Sequence, residues 1–250
     1  RNFSKEKIDE RVNSVSDTLK LSSFLNSPAR KLTADQKQLI SLGRGLVRED
    51  VAGVLMDEPL TVIDPDLKFR LRRSLKEINE QYKTTLVYVT HDQNEAMTFA
   101  DNIIVMDQGE IVQVGLPKDL FERPKTTFVG YFIGSPAMNL FETEIVSSNE
   151  VNIGSIKIKT NTDLSKVKNK NVKLGIRSEF IDIADNQSNN TVNVKINRIE
   201  DFGNYKLITA KMGKFTIKSK VNRETEVPTQ NVKLHIPAEK CCVYENNKLI

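Results

Sequence analysis

At 250 residues, 38% of them hydrophobic, the chain is long enough for two domains with buried cores. Its 37 basic and 33 acidic residues leave a net charge of +4, a mixed balance that makes no electrostatic case for a nucleic-acid partner. No apolar run approaches the roughly 20 residues that span a bilayer, and the charged opening RNFSKEKIDER is no signal peptide. The only cysteines, Cys241 and Cys242, are adjacent, which argues against a disulfide framework and fits a reducing compartment, with the cytoplasm as the default.

In chain order, Ser4 to Leu25 reads as one or two amphipathic helices, with Ser4 as N-cap and Ile8, Val12, Val15 and Leu19 on one side. Asn26, Ser27 and Pro28 break the pattern, and a second helix runs from the segment LTADQ (Leu32 to Gln36) to about Val47, with Leu39, Leu42 and Leu46 as its stripe. Val51 to Met56 (VAGVLM) is an apolar run ending in Asp57 and Glu58, which suits a fully buried parallel strand emptying onto a polar edge. Asp66 to Tyr82 spaces Leu67, Leu71, Leu75, Ile78 and Tyr82 along one face of a charged helix. Thr85 to Val89 is a second strand, ending in Thr90, His91 and Asp92. Strand, helix, strand without a hairpin turn is a βαβ unit, so Asp57, Glu58 and His91 are expected at one carboxyl edge, where open α/β sheets bind ligands.

Beyond His91 the pattern gives a short helix (Gln93 to Ala100), a strand (Asn102 to Met106), a turn at Asp107-Gln108-Gly109, a strand (Glu110 to Val114), and helical pieces at Lys118 to Arg123 and Thr126 to Ile133. From about Met138 the texture changes to short alternating runs, ETEIV, VNIGSIKIK, NVKLGIR, TVNVKINRIE, YKLITAKM, KFTIKSKV and NVKLHI. That is a β-barrel or sandwich, with the boundary near Gly134 to Asn139.

A strand ending Asp-Glu suits nucleotide hydrolysis: the first carboxylate holds Mg²⁺ through its water shell and the second orients or deprotonates the attacking water. Two acids ending a strand also serve as a plain turn signal, and a lone histidine is more often structural. Their joint appearance on neighbouring strands is the more specific observation. LTADQ by itself is a capping signal; one helix before the acid-ended strand, its free N–H groups are also a phosphate site.

These segments in this order resemble the ATPase subunit of ATP-binding cassette transporters, in the importer branch that carries sugars, polyols and glycerol phosphate, over nearly the whole chain. The matching parts are the signature-like LTADQ, the Walker B segment VLMDEP (Val54 to Pro59), the D-loop TVID (Thr61 to Asp64), the switch histidine in VTHDQ (Val89 to Gln93), then GEIVQVG, FVGYFIGSPAMN and LGIR (Leu174 to Arg177). The resemblance implies an α/β fold, the C-terminal part of a P-loop ATPase domain over residues 1–137, followed by an all-β OB-like barrel of the TOBE/MOBE type over residues 138–250. It implies ATP and Mg²⁺ as ligands, with Asp57 as the magnesium-associated acid, Glu58 as the catalytic glutamate and His91 as γ-phosphate sensor. Thr33, Ala34, Asp35 and Gln36 then face the nucleotide of an opposite subunit, and Asp64 communicates across the dimer. The implied partners are a second ATPase subunit, two transmembrane permease subunits and, indirectly, a solute-binding protein, which places the chain peripherally on the cytoplasmic face of the membrane. TVID within LGRGLVREDVAGVLMDEPLTVIDPDLKFRLR is similar to the ATPases of bacterial glycerol importers with two different ATPase subunits, with glycerol 3-phosphate or a sugar as the next substrates.

Two departures from that pattern bear on function. No G-x-x-x-x-G-K-[ST] occurs; the one Gly-Lys pair, Gly213-Lys214, is followed by Phe215. The family places that phosphate loop upstream, and since the chain begins with Arg1 rather than Met, the first part of a longer protein is expected to be absent; alone, these residues are expected to bind ATP poorly and not hydrolyse it. In LTADQ, Ala34 and Asp35 stand where the family has the glycines of LSGGQ, so side chains occupy ground where backbone approaches phosphate, and Asp35 sets a negative charge against it. Unequal sites in a heterodimer are the expectation, with a homodimer as the alternative. Three rival readings remain. One is a regulatory or remnant fragment whose barrel binds a partner. Another is a nucleic-acid module using Lys157, Lys159, Lys168, Lys170 and Lys173, which few aromatics accompany. The third is an ABC ATPase of translation or repair, whose members lack the barrel joined by FIGSPAMN.

Overall fold

The computed structural model describes residues 3–48, 51–184 and 190–250. The chain divides into two compact units, residues 1–100 and 101–250.

In the first unit, helix α1 (Lys5–Thr18) starts at Ser4, whose hydroxyl accepts from the Lys7 N–H at 3.3 Å. Its expected apolar side is only partly used. Val15 and Leu19 are buried, but Ile8 is 47% exposed, and the buried position one turn along is Arg11. The Arg11 guanidinium donates to the carbonyls of Leu46 (3.0 Å) and Val47 (3.3 Å), at the end of helix α2 (Ala34–Leu46), where unsatisfied helix carbonyls attract a cation. The helix stops at Thr18, and a 3₁₀ turn (Ser22–Phe24) replaces its predicted continuation to Leu25. Leu39, Leu42 and Leu46 of α2 are buried as their spacing predicts.

Strand β1 (Gly53–Asp57), helix α3 (Pro65–Tyr82) and strand β2 (Thr85–Val89) form the expected crossover: β1 and β2 are parallel, in register from Gly53↔Thr85 to Asp57↔Val89. Leu71, Leu75 and Ile78 of α3 are buried with Met56, Leu60 and Ile63; the side chain of Tyr82, the last position of the predicted stripe, lies outside the described residues. One expectation fails. β1 is not buried on both faces, because the described helices cover only the side carrying Val54, Met56, Leu86 and Tyr88; Leu55 is 81% exposed, and Val87 and Val89 share its open face. Helix α4 (Gln93–Phe99) closes the unit, capped by Asp92, which accepts from the N–H groups of Asn94 and Glu95.

The second unit opens with the hairpin β3 (Ile103–Asp107) and β4 (Glu110–Gly115), turned at Gln108 and Gly109 with φ of 48° and 85°, the paired positive φ of a tight hairpin turn. Short helices α5 (Pro117–Glu122) and α6 (Thr127–Phe132) follow. A six-stranded antiparallel sheet contains β5 (Asn139–Ser147), β6 (Glu150–Ile153), β7 (Ile156–Lys159), β8 (Asn171–Ile176), β14 (Cys242–Glu245) and β15 (Lys248–Leu249). A five-stranded one contains β9 (Asp182–Ile183), β10 (Thr191–Asp201), β11 (Tyr205–Met212), β12 (Phe215–Asn222) and β13 (Asn231–His235). The run VNIGSIKIK is split into β6 and β7 by Gly154, at φ 65°. Alternate residues of both sheets, among them Phe141, Leu174, Ile208, Ile217 and Leu234, fill one core. Asn139 bridges the sheets, donating to the carbonyls of Ile176 and Lys218 and accepting from the Lys218 N–H.

The segment 101–137 groups with these strands, and Arg177 at the end of β8 shows why. Fully buried, it donates from Nε to the Phe121 carbonyl (2.9 Å) and from Nη1 to those of Gly130 (2.9 Å) and Ile133, with its guanidinium 4.6 Å from the Phe121 ring centre. Tyr244 adds a hydrogen bond to the Pro124 carbonyl at 3.1 Å. Cys241 and Cys242 are free and buried, and burial pushes the Cys241 thiol up to about 12.

Candidate functional site

The carboxyl edge of β1 and β2 carries the residues that the sequence singles out. Asp57 ends β1 and is exposed. Glu58 follows at φ 48°, in the left-handed region where a side-chain-bearing residue is strained, and its N–H donates to the Val89 carbonyl at 2.9 Å, the last rung between the strands. Its Oε1 accepts from the His91 backbone N–H at 3.1 Å and from the His91 ring at Nδ1, while Oε2 accepts from the Thr61 hydroxyl at 2.9 Å. The hydrogen bond from the His91 side chain, with further help from Thr61 and the charge of the imidazole, holds the Glu58 carboxyl below the usual carboxylate range. Bonding through Nδ1 leaves Nε2 of this largely exposed ring for a ligand.

Thr61 also donates to the Glu58 carbonyl at 3.0 Å, and Gln38, on α2, donates to the same oxygen at 3.1 Å. Buried Leu60 and Ile63 pin the loop between them, and exposed Asp64 ends it just before α3. The sequence thus placed Glu58 and His91 correctly on one edge, while of the residues that hold Glu58 in place Thr61 was read only as the start of the D-loop TVID and Gln38 only as part of a helix.

LTADQ opens α2 as its capping pattern predicts. Gln36 Oε1 accepts from the Thr33 N–H at 3.0 Å, and the Thr33 hydroxyl donates to the Asp35 carboxylate, a bond that holds Asp35 below its ordinary range. Thr33, Asp35 and Gln36 are therefore engaged with one another, and Ala34 is exposed. Among the described residues no hydrogen bond or ion pair joins these side chains to Glu58 or His91; Gln38, further along α2, makes the connection.

A further cluster went unread in the sequence. Glu95 of α4 is buried, accepting from the Tyr88 hydroxyl (2.8 Å) and the Thr90 hydroxyl (3.1 Å), with Lys68 Nζ of α3 at 3.3 Å and Arg72 Nη1 at 4.0 Å. Burial, reinforced by the Glu95 carboxylate, pushes the Tyr88 phenol up.

Among the described residues no three acids, histidines or cysteines gather as a cation cage. A single exposed carboxylate such as Asp57 instead fits a magnesium ion that arrives with phosphate oxygens and keeps most of its water. No helix is long and apolar enough to cross a membrane among the described residues.

A family model described as the MalK OB fold domain matches residues 134–181. The trehalose/maltose import ATP-binding protein MalK of Thermococcus litoralis is 35% identical over 240 residues, covering 91% of this chain and 64% of its own length. The multiple sugar-binding transport ATP-binding protein MsmK of Streptococcus mutans is 34% identical, covering 94% and 67%. The sn-glycerol-3-phosphate import ATP-binding protein UgpC of Pectobacterium atrosepticum is also 34% identical, covering 98% and 69%. The chain thus spans about two thirds of the length of these relatives. Among solved structures, the ATP-binding cassette MJ1267 in its ADP conformation matches at 23% identity and a TM-score of 0.43, over 52% of each chain. With an ABC-type ATPase segment followed by a MalK-type OB fold, the chain belongs to the family of ATP-binding subunits of ABC importers.

Proposed function

We propose that the chain carries the water-orienting and dimer-facing elements of an importer motor that couples ATP hydrolysis to uptake of a sugar, polyol or glycerol 3-phosphate. The observation that carries this reading is the contact of Glu58 with His91 at the shared carboxyl edge of β1 and β2. Held in place by the His91 and Thr61 donors, the Glu58 carboxylate is set to orient or deprotonate the attacking water. His91 aligns the γ-phosphate through Nε2, Asp57 is the residue that would hold Mg²⁺, and Asp64 meets the second ATPase subunit. Mg²⁺, when bound, neutralises charge developing on the phosphates.

Hydrolysis also needs a Gly-rich phosphate loop, which these 250 residues do not contain, so by themselves they bind ATP weakly and do not turn it over. The second site is unequal: with Thr33 bonded to Asp35 and Gln36 folded back on Thr33, the groups that would grip a partner's nucleotide are engaged internally and carry a negative charge. A heterodimer whose partner supplies an intact signature follows. The motor sits peripherally on the cytoplasmic face of the membrane against two permease subunits, which with a solute-binding protein choose the substrate.

The test is ATP hydrolysis by these residues joined to a Gly-rich phosphate-loop segment, in the importer assembled with the partner ATPase and permeases. Glu58→Gln is expected to abolish turnover, and Asp35→Gly to leave it within about twofold, the spread expected of a neutral change. Loss of turnover in Asp35→Gly with retention in Glu58→Gln would overturn the assignment.

A further inference from the structure

We propose that Glu95 is the positioning residue that locks the His91 loop to helix α3, so that the segment following Asp64 and the segment carrying His91 move as one body. This rests on the reading of His91 as the γ-phosphate sensor. Glu95 is the third residue of α4, where a glutamate ordinarily reaches back to accept the N–H of the capping residue. Here that N–H, on Asp92, donates instead to the Thr90 hydroxyl at 3.0 Å, and the Thr90 hydroxyl donates a hydrogen bond to Glu95 at 3.1 Å. Thr90 thus takes over the capping task. Glu95 turns inward to Tyr88 of β2 and to Lys68, which stands one turn into α3 just after Asp64.

Stability alone explains this poorly. Desolvating a carboxylate offsets most of what its ion pairs return, and an apolar side chain in the same place would do as well. What the arrangement supplies is direction: with one oxygen toward α3 and the other toward β2 and Thr90, the carboxylate fixes the loop immediately before His91. The His91 N–H in turn meets Glu58, so the line Asp64, Lys68, Glu95, Thr90, His91, Glu58 is continuous through bonded or paired neighbours.

The test is amide hydrogen exchange on residues 1–250 for the parent chain, Glu95→Gln, Lys68→Met and the double variant. Glu95→Gln is expected to speed exchange of the His91 and Asp92 amides about tenfold, the loss of one hydrogen bond to a charged group, while Met56 and the Leu71 to Ile78 stretch keep their rates. Lys68→Met, which removes the ion pair to Glu95 while leaving the Thr90 and His91 hydrogen bonds in place, should accelerate the same two amides by a smaller factor and add nothing to Glu95→Gln. Uniform acceleration across the unit, or unchanged His91 and Asp92 exchange, would overturn the proposal. Should Glu95→Gln fail to fold, Lys68→Met alone decides by the same reading. Exchange is read without nucleotide, so it stands apart from the ATPase assignment; that assignment is tested in the assembled importer, where Glu95→Gln should lower kcat about tenfold with KM for ATP unchanged. A loosened loop with unchanged kcat would refute a role for the lock in turnover.

Discussion

Glu58 and Arg177 are both charged residues at the end of a strand, and the two units treat them in opposite ways. Glu58 sits on an exposed edge, on strained backbone, with its carboxylate held by three donors that water could replace. Arg177 is fully buried, and three main-chain carbonyls from α5, α6 and the residue after α6 close around it. Exposure lets the first group exchange partners when a ligand arrives, while burial fixes the second whatever binds. The largest expected effect tests that rigidity. Arg177→Ala removes the guanidinium donor from the carbonyls of Phe121, Gly130 and Ile133, of which Gly130 keeps the Met138 N–H, and should cost roughly 3–5 kcal/mol in the urea unfolding of the second unit. Arg177→Lys, which keeps the charge but lacks the planar fork, should cost about 1–3 kcal/mol. If both variants unfold with the parent, the staple between the helices and the barrel carries no weight.

Gly134 sharpens the same point from the other side. It holds φ 98°, and a Cβ there would come within 2.8 Å of Arg177 Nη1. Gly134→Ala is expected to destabilise by about 1–3 kcal/mol through backbone strain and crowding of the guanidinium, read in the same unfolding experiment.

The contrast between the units also explains what the sequence could and could not reveal. Periodicity fixed local structure well: Thr85–Val89 is β2 to the residue, and Leu39, Leu42 and Leu46 are the buried stripe of α2. It erred where burial depends on what lies opposite the element, as at Leu55, whose apolar side chain faces out, and at Ile8, which stays exposed while the unread Arg11 is drawn inward by the carbonyls ending α2. The edge holding Asp57, Glu58 and His91 was legible because parallel strands share their ends. The contacts that orient those groups were not, since Gln38 lies 20 residues from Glu58 and Lys68 lies 27 from Glu95, separations at which no local pattern speaks. Arg177 was visible as the last letter of LGIR, but nothing in the sequence says which carbonyls it meets.

Glu58 itself offers a test of whether the active edge trades stability for chemistry. Glycine at that position accepts φ 48° without strain, and the hydrogen bonds lost are ones that solvent can replace. Glu58→Gly should therefore leave the unfolding free energy of the first unit unchanged or raise it by up to about 1 kcal/mol, although it removes the carboxylate proposed to act on water. A loss of more than about 1 kcal/mol would mean that the Glu58 contacts are structural, and the contrast with Arg177 would fail.

The smallest effect is the most specific, because it isolates the Glu58–His91 contact. That contact, first among its causes, depresses the folded-state pKa of Glu58 below 4.5. A depressed carboxylate contributes stability that is present above the unfolded-state value and is lost as pH falls through the folded-state value. The parent chain and His91→Ala should therefore differ most in stability near neutral pH and converge as the solution is acidified well below 4.5. At this exposed edge solvent screens the interaction, so the difference is small and is better read from the carboxyl signal of Glu58 in an NMR titration, whose midpoint should move up toward the ordinary range in His91→Ala. A midpoint that stays depressed without the imidazole would assign the effect to Thr61 and the His91 main chain. Thr61→Val, which spares the His91 N–H, would then separate those two.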